Sequence, residues 1–382
     1  MKAALFGKGI LGRRAYEYIT SSDGVELVVI CKDILGAGNG SSLVLSDLPD
    51  AADETAVVGL KELSDLYSRG AVDAVVLATD NELADFCVRR LKESGITDIA
   101  FLPSYYEEVY EVEDESFVWI ETDKPRLPYL EYHISFHCNL KCAGCTHFSN
   151  IISGERFGDL DHFCNDLMRL QELFWGIGKI RLMGGEPLLN PELPEFIYAS
   201  RAAFPDADIR VVSNGLMLRG DMIQVLDAMR VTATYFDVSM YPPTASSIER
   251  IASICSSHGV KLTVTPDISD FTAGMNTHGC SDPVTTHRAC PASHCAYLCD
   301  GLISTCAMPQ LIDIYNEKYG LDISGSDSDV TDIYEEDLDG YALLDRLKSP
   351  MDICRYCDER RRPYKWFVST EPEAAEWIGV NS

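Results

Sequence analysis

At 382 residues and 46% apolar side chains, the chain is long enough for two or three domains with cores of their own and too hydrophobic to be disordered. A formal net charge of −28 excludes a general nucleic-acid binder, which needs a basic face to displace counterions, and argues against anionic membranes. No apolar run approaches the roughly 20 residues of a membrane span, and the start Met1-Lys2-Ala3-Ala4-Leu5-Phe6-Gly7 meets glycine too soon for a signal peptide, so a cytoplasmic protein is expected.

The first third alternates strand and helix signals. Residues 2–6 read as a short apolar strand, Gly7-Lys8-Gly9-Ile10-Leu11-Gly12 as a glycine-rich turn, and residues 13–21 as a helix. A second strand at 26–31 leads to Asp33, 21 residues beyond Gly12. Glycines so spaced bring backbone amides to a phosphate at a helix N-terminus, and an acid at that distance takes a ribose hydroxyl. Strands at 71–78 and 98–102 flank a helix at 82–94. Residues 1–122 are therefore expected to form a Rossmann-like domain, a parallel sheet with both faces covered. Gly7, Gly9, Gly12 and Asp33 are its candidate contacts for NAD or a nucleotide-sugar. The plainer alternative is that the glycines only let the helix pack on the sheet. Residues 36–42, rich in glycine and serine, read as a connecting loop. This segment resembles small Rossmann-like domains of bacterial sugar-modifying and polysaccharide-pathway proteins.

Residues 130–136 alternate like a strand and run into Cys138-Asn139-Leu140-Lys141-Cys142-Ala143-Gly144-Cys145, three cysteines spaced C-x3-C-x2-C. Three thiolates on one loop suit three irons of a cubic [4Fe–4S] cluster and leave the fourth iron open. With His137 or His147 they would instead make a zinc knuckle. Fourteen cysteines without a secretion signal point to metal or redox chemistry rather than disulfides. Further strands are expected at 179–183, 208–212, 234–240 and 261–265, with helices at 159–174, 191–203, 221–229 and 244–258. That pattern reads as a partial (β/α) TIM-type barrel over residues 128–275, whose site lies at the C-terminal ends of its strands. Met183-Gly184-Gly185-Glu186-Pro187, Ser213-Asn214-Gly215 and Asp237-Val238-Ser239 fall at those ends.

In the last third Cys290, Gly301 and Cys306 precede the pair Cys354-Arg355-Tyr356-Cys357, and Asp300-Gly301-Leu302-Ile303 reads as a hairpin turn presenting Cys306. Four such thiols suit a closed cluster or a Zn(Cys)4 site, with Cys295 and Cys299 competing for the place of Cys290. The acidic run 322–339 reads as a solvated loop and helix face. Arg360-Arg361-Arg362 either binds a phosphorylated or nucleotide-linked substrate or pairs with that run. Trp366 and Phe367 read as packing residues.

Taken in order, these motifs resemble the radical SAM superfamily, and the C-terminal cysteines resemble its twitch subclass, a shortened SPASM extension. The resemblance implies that Cys138, Cys142 and Cys145 hold a [4Fe–4S] cluster whose open iron chelates the amino and carboxylate groups of S-adenosylmethionine. Gly184, Gly185, Glu186 and Pro187 would then serve the ammonium, Ser213, Asn214 and Ser239 the carboxylate or ribose, and Tyr241 the wall near the adenosine. Where the family carries an aromatic residue against the adenine this chain has Gly144, which leaves stacking to Phe148 or to nothing. Cys290, Cys306, Cys354 and Cys357 would hold a second, fully ligated [4Fe–4S] cluster in a small twitch domain over residues 276–382. Cys280, Cys295 and Cys299 are then candidate hydrogen-atom donors.

The implied chemistry is reductive cleavage of S-adenosylmethionine to methionine and a 5′-deoxyadenosyl radical, which takes hydrogen from an unactivated carbon. As in the family's deoxy-scyllo-inosamine dehydrogenase and sugar epimerases, an oxidoreductase or epimerase is expected. It would act on a sugar, cyclitol or nucleotide-linked sugar, with electrons from a flavodoxin- or ferredoxin-type donor. Peptide modification is the alternative enzyme, and a zinc-bound scaffold with a Rossmann module the non-enzyme alternative.

Overall fold

Apolar runs bounded by glycine build the N-terminal sheet. In the computed structural model, which describes residues 1–7, 9–31, 55–79, 81–101 and 118–380, Ala74–Ala78 is wholly buried and Lys2–Gly7 nearly so. The strand order is Ala56–Val58, Glu26–Cys31, Lys2–Gly7, Ala74–Ala78, Ile99–Phe101, all parallel, with Val118–Trp119 antiparallel at the edge. Successive side chains leave opposite faces. Ala3, Leu5 and Val76 pack with Ala15 and Ile19 of the helix Gly9–Ser21. Ala4, Phe6, Val75 and Leu77 pack with Leu63 of Leu60–Ser68 and with Val88 and Leu91 of Asn81–Glu93. Both faces are covered, as the alternation implies.

A methyl group on Gly12 would stand 2.5 Å from the Gly7 carbonyl carbon, so this pair lets the helix start lie against the strand end. That close approach gives the glycines a packing role, which the sequence left as the plainer reading. Asp33 and residues 36–42 lie outside the described residues.

The chain divides into two units, Met1–Arg126 with Phe174–Gly178 and Leu127–Leu173 with Lys179–Ser382. The second takes in both the barrel and the C-terminal residues. Its sheet runs Leu262–Val264, Tyr235–Val238, Asp208–Ser213, Lys179–Gly184, Leu130–Ser135, all parallel. Helices Leu160–Leu173, Leu193–Ala203 and Ile223–Val231 fall between the strands near the expected positions. The helix expected at 244–258 is two pieces, Pro242–Ala245 and Ile248–Ser257. Thr244 Oγ1 donates to the carbonyl of Asn214 at 2.7 Å, which pins the first turn to a strand-end loop before the helix restarts.

The C-terminal residues extend this same sheet. Tyr297–Cys299 pairs parallel with Leu130–Ser135, Leu302–Ser304 returns antiparallel, and Thr331–Asp332 adds a further antiparallel strand. The turn between the first two carries Asp300 at φ 49° and Gly301 at φ 79°, the hairpin expected there. Asp270–Met275 and Cys357–Lys365 form a separate antiparallel ribbon. Among the described residues no helix is long and apolar enough to cross a membrane.

Candidate active site

The three strand-end motifs close on the cysteine loop through backbone and carboxylate bonds. Gly185 N donates to Ser135 O at 2.6 Å and Glu186 N to His137 O at 3.0 Å, which seats the Gly-Gly-Glu-Pro turn against the start of the loop. Glu186 is fully buried. Its Oε1 accepts from Ser213 Oγ at 2.6 Å and Leu188 N at 3.1 Å, and its Oε2 from Asn214 N at 2.9 Å. Burial pushes this carboxyl up to about 7 against the pull of those three donors. Asn214 Nδ2 then reaches Asn139 Oδ1 at 2.7 Å and stands 3.8 Å from Cys138 Sγ.

Cys138, Cys142 and Cys145 line one cavity with Gly184, Gly185, Ser213, Asn214, Ser239 and Tyr241. Five of the eight expected S-adenosylmethionine contacts therefore face the cysteines. Glu186 and Pro187 lie behind them as buried support. Phe148 does not line the cysteine cavity: its ring is 1% exposed, packs against Tyr315 and Trp377, and borders a neighbouring, larger cavity instead. Tyr241 is the aromatic residue that lines the cysteine cavity.

The donor set fits a cubane with one open iron. Burial pushes the Cys142 thiol up to about 12 and raises Cys138 and Cys145 as well, so three thiolates here need a cationic partner. The amides of His147, Ser149 and Asn150 already turn to the Cys145 sulfur and oppose that rise. Among the described residues no three His, Cys, Asp or Glu side chains converge at single-ion distance. Cubane ligands bind different irons and stand farther apart.

A second group of cysteines shares a cavity of its own. Cys290, Cys306, Cys354 and Cys357 line one small cavity, and neither Cys295 nor Cys299 does. The turn bearing Cys354 is held by Asp329, whose Oδ1 accepts from Asp352 N at 2.6 Å and Oδ2 from Ile353 N at 2.8 Å. Asp329 is only 5% exposed, which corrects the reading of the acidic run as uniformly solvated. The arginine cluster also separates. Arg362 is spent on the carbonyls of Ile378 and Ala375, while Arg361 Nη2 lies 3.6 Å from Cys290 Sγ.

A cavity of about 360 Å³ adjoins the second set. Cys290, Cys306, Cys357 and Arg361 line it together with Glu131, Thr146, Thr272 and Cys295. His147 lines this cavity and the cysteine cavity alike. Of the three candidate hydrogen-atom donors only Cys295 lines it; Cys299 ends a sheet strand and Cys280 is exposed. Glu131 is held by the Tyr129 hydroxyl and by Arg181, 3.4 Å away. Sequence reasoning passed over Glu131 and Thr272, since a lone polar residue in a strand carries no local signal.

Residues 132–259, which apart from 174–178 lie within the second unit, match the model of the Radical SAM superfamily. The GTP 3′,8-cyclase of Clostridium botulinum is 28% identical over 109 residues, 26% of this chain and 31% of that protein. The GTP 3′,8-cyclase of Campylobacter curvus is 33% identical over 108 residues, again 26% and 31%. The chain thus spans under a third of the length of these curated relatives. Among solved structures, BtrN in complex with AdoMet and 2-DOIA aligns at 17% identity and TM-score 0.38, covering 61% of this chain and 94% of that one. The anSMEcpe enzyme with bound AdoMet aligns at 20% identity and TM-score 0.30, over 36% and 43%.

Proposed function

We propose that this chain is a radical SAM enzyme with two [4Fe–4S] clusters, acting on a sugar, cyclitol or nucleotide-linked sugar that it oxidises or epimerises. Cys138, Cys142 and Cys145 would hold the first cluster, and Cys290, Cys306, Cys354 and Cys357 the second, in a twitch-like C-terminal region. When loaded with S-adenosylmethionine and a low-potential electron from a flavodoxin- or ferredoxin-type donor, the first cluster supplies a 5′-deoxyadenosyl radical. Gly184, Gly185, Ser213, Asn214 and Ser239 present backbone and short polar groups to the bound sulfonium, while Glu186 fixes the two loops that carry them. The Rossmann-like N-terminal unit is the place for NAD or a nucleotide-sugar, should it take a ligand.

One observation supports the reading: a cavity of about 360 Å³ is lined by three cysteines of the second set and shares His147 with the cavity of the first. A substrate there would approach the radical source past His147. Arg361 and Glu131 offer it one cation and one anion, and Met275, Met308 and Ala307 give it apolar walls. Arg361 favours a phosphorylated or nucleotide-linked form. Between the two outcomes, the thiol of Cys295 in the wall favours epimerisation, where it returns a hydrogen atom to the substrate radical.

Anaerobic reconstitution tests this directly. About eight irons per chain and release of 5′-deoxyadenosine on reduction are expected. Zinc without iron, or intact S-adenosylmethionine under strong reductant, would overturn it.

A further inference from the structure

Arg361 stands between the larger cavity and the second cysteine set. It lines that cavity beside Cys290 and Cys357, and its Nη2 donates to the sulfur of Cys290 at 3.6 Å. The ribbon that carries it makes the room. Ala273 pairs with Arg362 and Met275 with Cys357, so the register breaks over the stretch that holds Arg361. A methyl group on Gly274 would come within 3.1 Å of Arg361 Cγ. An irregular strand opposite a bare glycine thus lets the side chain cross the ribbon to the thiol.

The charge of Arg361 is not spent on an acid. Acids outnumber bases 60 to 32 in this chain, yet among the described residues no carboxylate pairs with Arg361, and Cys290 Sγ is its one hydrogen-bond acceptor. Glu131, the acid that shares the cavity, is already held by the Tyr129 hydroxyl and Arg181. A guanidinium carries its N–H donors around a plane, so one edge can rest on sulfur while another meets an anion in the cavity.

We propose that Arg361 couples the two sites it touches: a phosphate group bound in the cavity and the redox state of a cluster held by Cys290, Cys306, Cys354 and Cys357. The inference rests on the functional reading above and adds to it a dependence of the second cluster on what the cavity holds. Reduction, by the low-potential donor already invoked, adds negative charge, and a guanidinium beside a ligating sulfur stabilises that charge. A phosphate paired with the same guanidinium cancels part of its field and makes the cluster harder to reduce. Linkage runs both ways, so phosphate binds the oxidised form more tightly than the reduced one by the same factor.

The strand Cys357–Lys365 also supplies an internal control. Beyond it the chain forms a strap over the first cysteine loop. Ala143 N donates to Phe367 O at 3.0 Å and Ser369 N to Lys141 O at 2.8 Å. Gly144 N donates to Glu376 Oε2 at 3.2 Å and Trp377 Nε1 to Cys145 O at 2.8 Å. A substitution that merely disturbs the ribbon disturbs the first set through this strap, whereas loss of the Arg361 charge acts on the second.

The test is a redox titration of the anaerobically loaded protein, followed by electron paramagnetic resonance, in inorganic phosphate and in chloride of equal ionic strength. Added S-adenosylmethionine perturbs only a cluster with an open iron and so tells the two signals apart. Phosphate is expected to move the second midpoint negative, so that at the chloride midpoint its reduced-to-oxidised ratio falls several-fold while the first midpoint stays. Arg361→Gln should start from a lower second midpoint in chloride and show no phosphate shift, with iron content unchanged. Arg360→Gln, at an exposed neighbour, should respond as wild type. A second midpoint indifferent to phosphate, a shift that survives Arg361→Gln, or an equal shift of the first midpoint overturns the proposal. Should Arg361→Gln fail to load, equilibrium dialysis of the wild type against radiolabelled phosphate decides. Binding several-fold weaker to the reduced than to the oxidised protein supports the coupling, and equal binding overturns it. A wild-type chain that takes up no iron, or only about four per chain, refutes the functional reading itself, and this proposal with it.

Discussion

The hydroxyl of Ser213 donates to Glu186 at 2.6 Å, tying together the ends of two neighbouring parallel strands. With the Asn214 amide on the other oxygen, one buried carboxylate fixes both loops that face the cysteines.

Removing that carboxylate should cost both stability and site geometry. Glu186→Ala leaves the Asn214 and Leu188 amides without their acceptor, a loss of about 2–4 kcal/mol. Glu186→Gln keeps an acceptor and should lose less. Urea unfolding of the metal-free protein gives the comparison.

The same group sets a pH dependence. Its pKa is raised from 4.5 to about 7, so between these values the folded chain holds a proton that the unfolded chain has released. Its contribution is fully present below pH 4.5 and is lost as pH rises through 7, by up to about 3 kcal/mol at 1.36 kcal/mol per unit. Wild type should therefore weaken relative to Glu186→Gln between pH 5 and 8. A constant difference between the two would contradict this.

Asp329→Ala should empty the second site and spare the first. The turn of Asp352 and Ile353 loses two amide acceptors, and Cys354 loses its fixed place. Iron content is expected to fall from about eight to about four per chain, with 5′-deoxyadenosine still formed on reduction.

Cys295→Ser separates radical formation from hydrogen return. In deuterium oxide the wild type is expected to place one deuterium on carbon in the epimerised product. The variant should still form 5′-deoxyadenosine but lose that label by at least tenfold. Cys280→Ser, at an exposed position, should behave as wild type.

Gly144→Ala meets three obstacles, a left-handed backbone at φ 60°, the Tyr364 hydroxyl and the Glu376 carbonyl oxygen 2.8 Å from the added methyl. A loss of about 2–3 kcal/mol is expected. Tyr364→Phe in the same chain should recover only the share due to the hydroxyl, since the Glu376 carbonyl oxygen still stands 2.8 Å from the methyl, and thermal unfolding of single and double variants would resolve it.

Much of this site was legible because its signals are local. Cys138, Gly185, Ser213 and Ser239 each end a strand of regular pattern, and a parallel sheet brings such ends to one rim whatever the details of packing. The sequence left Cys290, Cys295 and Cys299 in competition; of these only Cys290 shares the small cavity with Cys306, Cys354 and Cys357. Asp329 was not legible, because an acid in an acidic run looks solvated until amides arriving 23 and 24 residues later bury it. Nor was the role of Phe148. Beside the third cysteine it looked available for stacking, but Tyr315 and Trp377, far along the chain, enclose it.

The distance along the chain between the cysteine loop and its clamp has a consequence for biosynthesis. Gly144 and Glu376, like Cys145 and Trp377, are 232 residues apart. At about 5–20 residues per second a ribosome needs roughly 10–50 s to pass from one to the other. For that interval Cys138, Cys142 and Cys145 have been made and the strap has not, which gives an iron–sulfur carrier time to reach them before the strap arrives.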